Sequence, residues 1–157
     1  GYGDLFQWGR LDDGHQLRTS GVTSTQSSND NPGHSNFISG FSNWRNPKND
    51  FLWDGVSGIN NPCPSGWRLP TSTELGNERL SWASNNSAGA YSSPLKWTLA
   101  SMRPFSTGIV DPTGSLGFYW SSTVSGNDAI RMTICSGFAS TTGYDRAHGM
   151  SVRCIKD

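Results

Sequence analysis

Seven tryptophans in a chain of 157 residues govern what this sequence can fold into. Apolar residues make up only 33%, while glycine numbers 19, so the core has to be built from a few large aromatics framed by many turns. The length suits one domain, residues 1–157, able to bury a real core without depending on staples. No internal repeat or low-complexity tract divides it.

The pattern along the chain predicts an α+β fold with short antiparallel strands, few helices and long ordered loops. "GYGDLFQWGR" opens as an aromatic strand, so the natural N-terminus is expected upstream, together with any targeting signal. From His15 to Asp54 the chain is rich in Ser, Asn, Gly and Asp; Trp44, Phe51 and Trp53 mark it as an ordered loop with its own satellite core. "PTSTELGNERLSWASN" carries the clearest helix signal: Thr71 followed by Glu74 matches a capping box, and Leu75, Leu80 and Trp82 supply an apolar side. "SPLKWTLASMRPF" alternates through Leu95, Trp97 and Leu99, "GSLGFYWSSTV" reads as an aromatic strand, and "MSVRCIKD" ends the chain as another.

Charged residues are 15% and cancel to zero net, which leaves no electrostatic footprint for nucleic acid or an anionic membrane surface. No run approaches the roughly 18 consecutive apolar residues of a membrane helix, so no membrane insertion is expected. There is no G-x-S-x-G elbow, H-E-x-x-H helix, P-loop or C-x-x-C pair. His15, His34 and His148 fall in polar loops, where solvated side chains are expected. Cys135 with His148 resembles a nucleophile and base in composition alone, since nothing nearby in the sequence activates the thiol or orients the imidazole. "SSNDN" and "NPKND" offer oxygen ligands but not the spaced acidic pattern of an EF-hand. No metal or cofactor is expected.

Two of the three cysteines stand in contexts that admit a partner. Cys63 lies in the Pro-flanked loop "NNPCPSGWRLP" and Cys154 in the C-terminal "SVRCIKD". They are either joined, closing a loop of about 90 residues worth roughly 4 to 5 kcal/mol in the chain-entropy picture, or two unrelated buried thiols. Pairing them leaves Cys135 over, within "AIRMTICSGF". Strand alternation there turns Ile130, Met132 and Ile134 inward and Arg131, Thr133 and Cys135 outward, ahead of an exposed Phe138. A cation, a hydroxyl and a thiol make a chemically mixed outward set.

The strings "GDLFQWGR", "DGHQLRTS", "GHSNFI", "WRNPKNDFLW", "NNPCPSGWRLPTSTEL", "YWSSTVSG" and "SVRCIKD", in this order and over nearly the whole chain, resemble the Fibrobacter succinogenes major paralogous domain family. The resemblance implies a C-type-lectin-like fold, related to that of formylglycine-generating enzymes, in bacterial or phage surface proteins. It also implies the Cys63–Cys154 bridge. The calcium motifs of sugar-binding C-type lectins are missing, so calcium-dependent sugar binding does not carry over. The reactive cysteine pair of formylglycine-generating enzymes is not matched either, because only Cys154 lies in the corresponding region.

Some C-type-lectin-like domains end in a variable region rewritten by a diversity-generating retroelement, in which adenine mutagenesis changes chosen codons, often those of asparagine. The resemblance implies such a segment at about 119–157, where an altered Asn codon yields the mixed residues that follow Ala129. The expected function is non-enzymatic ligand binding or adhesion, without a cofactor. The expected site is Arg131, Thr133, Cys135, Phe138, Ser140, Thr142, Tyr144, Asp145, His148 and Met150, with Arg131, Phe138 and Tyr144 as anchors. The expected partner is a protein or other surface ligand, and the expected location extracellular, at the cell surface or on a phage virion. The alternatives are an enzyme related to formylglycine generation or an uncharacterised hydrolase, and an invariant structural surface module.

Overall fold

Three of the five strand pairings in this protein are only two residues long, as its turn-rich sequence demands. A computed structural model describes residues 1–157. The elements in chain order are β1 (Phe6–Gln7), β2 (Val22–Thr23), β3 (Phe37–Ile38), β4 (Trp67–Arg68), α1 (Ser72–Leu80), α2 (Ser87–Ser92), β5 (Gly117–Ser125), β6 (Asp128–Ile134), β7 (Ala139–Asp145), β8 (Gly149–Met150) and β9 (Ile155–Lys156). Only β5, β6 and β7 build an extended antiparallel sheet, in that order; β1 pairs with β8, β4 with β9, and β2 runs parallel to β3. The arrangement is α+β, with one departure from the antiparallel expectation at β2–β3.

The long sheet forms where aromatic and β-branched residues run between tight turns. Gly126, at φ 60°, reverses the chain between β5 and β6 in a left-handed conformation that glycine adopts without a Cβ penalty. Cys135 N–H donates to Phe138 O at 2.9 Å and closes the β6–β7 turn. The register sets Arg131 beside Trp120 and Thr142, Thr133 beside Phe118 and Ser140, and Met132 beside Tyr119 and Thr141.

Both faces of this sheet are covered. On one, Tyr119, Met132, Ile134 and Ala139 pack with Leu75, Ala90 and Trp97; on the other, Phe118, Trp120 and Ala129 pack with Phe6, Trp8, Trp53, Leu69 and Met150. A third cluster, Ile38, Trp44, Leu52 and Ala147, is the satellite core of the long loop. Of the three aromatics expected there only Trp44 joins it: Phe51 is exposed to solvent, and Trp53 packs into the main core with Phe6 and Trp8.

Six of the seven tryptophans donate an indole N–H to a protein acceptor. Trp8 bonds Ser121 O at 2.9 Å and Trp120 bonds Phe6 O at 2.9 Å, a reciprocal tie between the first strand and the fifth. Trp44 reaches Trp8 O, Trp53 reaches Arg10 O, and Trp82 and Trp97 share Glu78 Oε1. Each ring therefore buries apolar surface without stranding its polar atom.

Helix α1 starts at the expected capping box: Glu74 N–H donates to Thr71 Oγ1 while Thr71 N–H donates to Glu74 Oε2. Leu75 is buried, but Leu80 is 72% exposed. Five positions separate the two, about 140° around the helix, so they cannot share a face. Helix α2 has no apolar periodicity to announce it; Asn86 caps it, accepting from Ala88 and Gly89 N–H. A Cβ on Gly89 would stand 1.8 Å from Ser84 O, so this helix sits where only glycine fits.

The segment 94–105 forms no strand, contrary to its alternation; Lys96 and Ser101 take positive φ and break the extended run. The C-terminal alternation is likewise split between β8 and β9. Cys63 and Cys154 form a disulfide across 91 positions. Beside it, Arg68 pairs with Glu74 at 2.9 Å and Asp157 at 2.7 Å, binding the C-terminus to the start of α1. No helix is long and apolar enough to cross a membrane.

Replacing Trp120 by Phe keeps most of the ring but leaves the Phe6 carbonyl without its indole donor. The expected loss is about 1 to 3 kcal/mol, read as a lower urea midpoint with an unchanged slope. A midpoint matching wild type would show that the reciprocal tie is not stabilising.

Candidate functional site

The β6–β7 hairpin gathers most of the residues predicted for the site on one face. Arg131, Thr133, Ser140, Thr142 and Tyr144 share a side of the sheet by alternation and register. His148, beyond β7, stacks on Tyr144 with ring centroids 4.6 Å apart and meets Phe105 at 4.7 Å. Cys135 and Phe138 stand at the hairpin tip, where Phe138 is 52% exposed.

Several expectations need correction. Arg131 and Thr133 do not point into solvent; they are 9% and 7% exposed, because this side of β6 lies against Phe118 and under Tyr144 rather than forming a bare surface. His148 is also 7% exposed, and Met150 is fully buried in the core beside Trp8 and Trp120, which withdraws both from any open contact surface. Ile130 is only half-buried, while Met132 and Ile134 are fully buried as expected. Asp145 faces Asp128 across the ladder, on the opposite side from Arg131. Burial first, and the Asp128 charge second, raise its pKa.

The guanidinium of Arg131 lies 4.2 Å from the Tyr144 ring centre and 5.0 Å from that of Phe118. Its Nε and Nη1 are buried without a protein hydrogen-bond partner, and the same holds for Thr133 Oγ1 and His148 Nδ1. Burial lowers the Arg131 pKa, with Tyr144 opposing the shift. Burial, followed by the Arg131 charge, lowers that of His148 to about 4, so the imidazole is neutral near pH 7. A neutral imidazole, a hydroxyl and a cation between two rings can bind a polar group.

Nucleophilic chemistry has no assembled machinery here. Cys135 is a free thiol whose Sγ bonds Phe138 O at 3.3 Å, and no hydrogen bond joins it to His148. His15 is not solvated as its loop context implied. It is fully buried, with Nδ1 2.6 Å from Asp13 Oδ1, and Nε2 accepts from Gln7 N–H, which leaves no free ring nitrogen to act as a base. Burial lowers its pKa to about 4 against the raising effect of Asp13. The loop carboxylates considered as cation ligands are engaged by bases: Asp30 by Arg45, and Asp50 by Lys48 and Arg146.

The roomier clefts lie elsewhere, one polar and rimmed by Arg45, Lys48 and Asn127, the other between α1 and the C-terminal segment over Trp97. Neither contains a residue of the predicted site. No protein-family model matches this chain, and no curated protein or solved structure is significantly similar to it.

Two outcomes test this geometry. Thr133→Tyr overfills a buried position and should cost about 1 to 3 kcal/mol, whereas Phe138→Ser at the exposed tip should stay within about 0.5 kcal/mol of wild type. Equal melting temperatures for the two variants would contradict the burial of Thr133. The second outcome concerns acid. His15 and His148 titrate near pH 4 when folded and near 6.5 when unfolded, so the unfolded chain takes up protons first as pH falls. Their stabilisation is complete above about pH 6.5 and is lost between 6.5 and 4, by about 2 kcal/mol each at pH 5 relative to pH 7.5. Urea unfolding at the two pH values measures it; the double variant His15→Gln/His148→Gln should lose most of the dependence.

Proposed function

We propose that this chain is a non-enzymatic ligand-binding domain of C-type-lectin-like fold, working outside the cell, at its surface or on a phage virion. The β6–β7 hairpin and the segment after it carry the binding face. One observation supports this above the others. Seven buried side-chain polar atoms form no hydrogen bond; one of them, Arg45 Nε, is ion-paired with Asp30 at 2.8 Å, and four of the remaining six belong to Arg131, Thr133 and His148 on this one face. Unpaired buried polar groups oppose folding, so their concentration beneath a rim of Ser140, Thr142, Tyr144 and Phe138 fits a surface whose partners come from a ligand.

The rest of the chain suits the role of scaffold. The disulfide, the capped helix and the indole ties hold the hairpin in place, and recognition commonly resides on segments carried by a rigid frame. Aromatic and Arg side chains, here Tyr144, Phe138 and Arg131, are the types that dominate binding energy. The resemblance of "CPSGWRLPT", "YWSS" and "SVRC" to the Fibrobacter succinogenes major paralogous domain family supports the finer fold. Residues reachable from Asn codons, at Arg131, Thr133, Cys135 and Phe138, support diversification of 119–157 by a retroelement over a constant apolar phase of Met132 and Ile134.

Binding of the purified domain to arrayed surface proteins and glycans tests the proposal. A partner should be found whose affinity falls at least about tenfold when Phe138, Thr142 and Tyr144 are together replaced by Ala, in a variant that is still folded at the assay temperature. Binding that ignores this triple change would move the site elsewhere. Catalytic turnover lost in Cys135→Ser would overturn the non-enzymatic reading.

A further inference from the structure

Four arginines are buried in this protein: Arg10, Arg103, Arg131 and Arg146. Three are fully provided for. Arg10 donates to Asp13, Gln7 Oε1, Asn36 O and His34 O; Arg103 donates to Gly108 O, Ser20 Oγ and Ser20 O; Arg146 pairs with Asp50 at 2.7 Å and donates to Gly126, Asp128 and Asn49 carbonyls. Each also lies against an aromatic ring, Arg10 over Trp44, Arg103 over Phe37 and Arg146 over Trp8. Ring stacking therefore accompanies hydrogen bonding at those three sites instead of replacing it.

Arg131 has the rings and the Tyr144 side chain, and of its three guanidinium nitrogens only Nη2 is not buried without a partner. It lies between Tyr144 and Phe118, forms no ion pair with a carboxylate, and leaves Nε and Nη1 unpartnered in the protein. A cation–ring contact supplies less than a desolvated and unpaired charge loses. The neighbouring unpartnered atoms on this face are a hydroxyl, which can donate, and a neutral imidazole. The acidic pair Asp128 and Asp145 lies on the opposite side of the sheet. What Arg131 lacks is the acceptor that each of the other three has, a carboxylate at Arg10 and Arg146 and neutral oxygens at Arg103.

Resting on the ligand-binding reading above, the geometry points to Arg131 as the anchor for a carboxylate carried by the ligand, with Thr133 and His148 beside it and Tyr144 packed against it. Guanidinium and carboxylate match in shape and charge and form hydrogen bonds roughly twice as strong as neutral ones. Asp13 and Asp50 fill this role for Arg10 and Arg146 within the fold. At Arg131 the carboxylate comes from outside.

The test follows the Arg131 Nε–Hε signal of the 15N-labelled domain, assigned by its loss in Arg131→Gln. Sodium acetate, N-acetyl-aspartate methylamide and glucuronate are titrated against sodium chloride at equal ionic strength, with acetamide as the neutral analogue. Carboxylates should shift this signal saturably and leave those of Arg10, Arg103 and Arg146 in place; acetamide and chloride should not shift it. The stronger response of the aspartate or the glucuronate probe distinguishes an acidic peptide from an acidic sugar as the source. Tyr144→Leu should weaken the carboxylate response by about tenfold or more. Arg131→Gln should melt no lower than wild type, since it removes an unpaired charge. A wild-type signal indifferent to all three carboxylates overturns the proposal, as does a strong drop in melting temperature in Arg131→Gln. If a surface partner binds Arg131→Gln as well as wild type, the carboxylate assignment fails while the binding function stands; if no partner binds the wild-type domain, the binding reading itself fails.

Discussion

The reciprocal tie between Trp8 and Trp120 is the contact on which the rest of this structure depends. Each indole donates to a carbonyl beside the other's strand, Trp8 to Ser121 and Trp120 to Phe6. One pair of residues thus binds the N-terminal strand to the central sheet while filling the space between them. A chain with few aliphatic residues cannot rely on the volume of its core alone. Amphipathic rings solve this because they bring apolar area and a directed hydrogen bond to the same place, and Trp44 and Trp53 extend the scheme into the long loop through Trp8 O and Arg10 O.

Around that centre, polar side chains do work that regular secondary structure does elsewhere. Gln7 donates from Nε2 to Ile38 O and Ala147 O and accepts from Ile38 N–H, while His15 and Arg10 complete the same buried network. Arg68 joins the α1 cap to the C-terminus, next to the Cys63–Cys154 bridge. Loops of this length remain ordered because their backbone groups find partners in such side chains.

Against this background the β6–β7 face is the exception. Elsewhere buried cations are matched by carboxylates or carbonyls; there Arg131, Thr133 and His148 are grouped without protein partners. Stability and recognition ask different things of a buried polar group, and a ligand site of the kind proposed gives up some of the first.

The residues of the sequence determined a good deal by themselves. The aromatic core, the Thr71–Glu74 cap and the strand from Gly117 were legible because each depends on local chemistry or spacing. So was the inward phase of Met132 and Ile134. The disulfide and the grouping of Arg131, Thr133 and Tyr144 were legible as far as resemblance and alternation reach. The burial of Arg131 and Thr133 was not, because alternation tells which side a residue faces and not what covers that side. The burial of His15 and His148 and the exposure of Leu80 run against their local sequence context, because their surroundings are supplied by distant segments or by helix angle. Helix α2 lacked any periodic signal, and its place was decided by the close approach of Gly89 to Ser84. Pairing within a turn or along a strand is set by neighbours in the chain, whereas burial and hydrogen-bond satisfaction are set by what the whole fold brings alongside. Only the tertiary structure could therefore separate Arg131 from the three buried arginines that have partners.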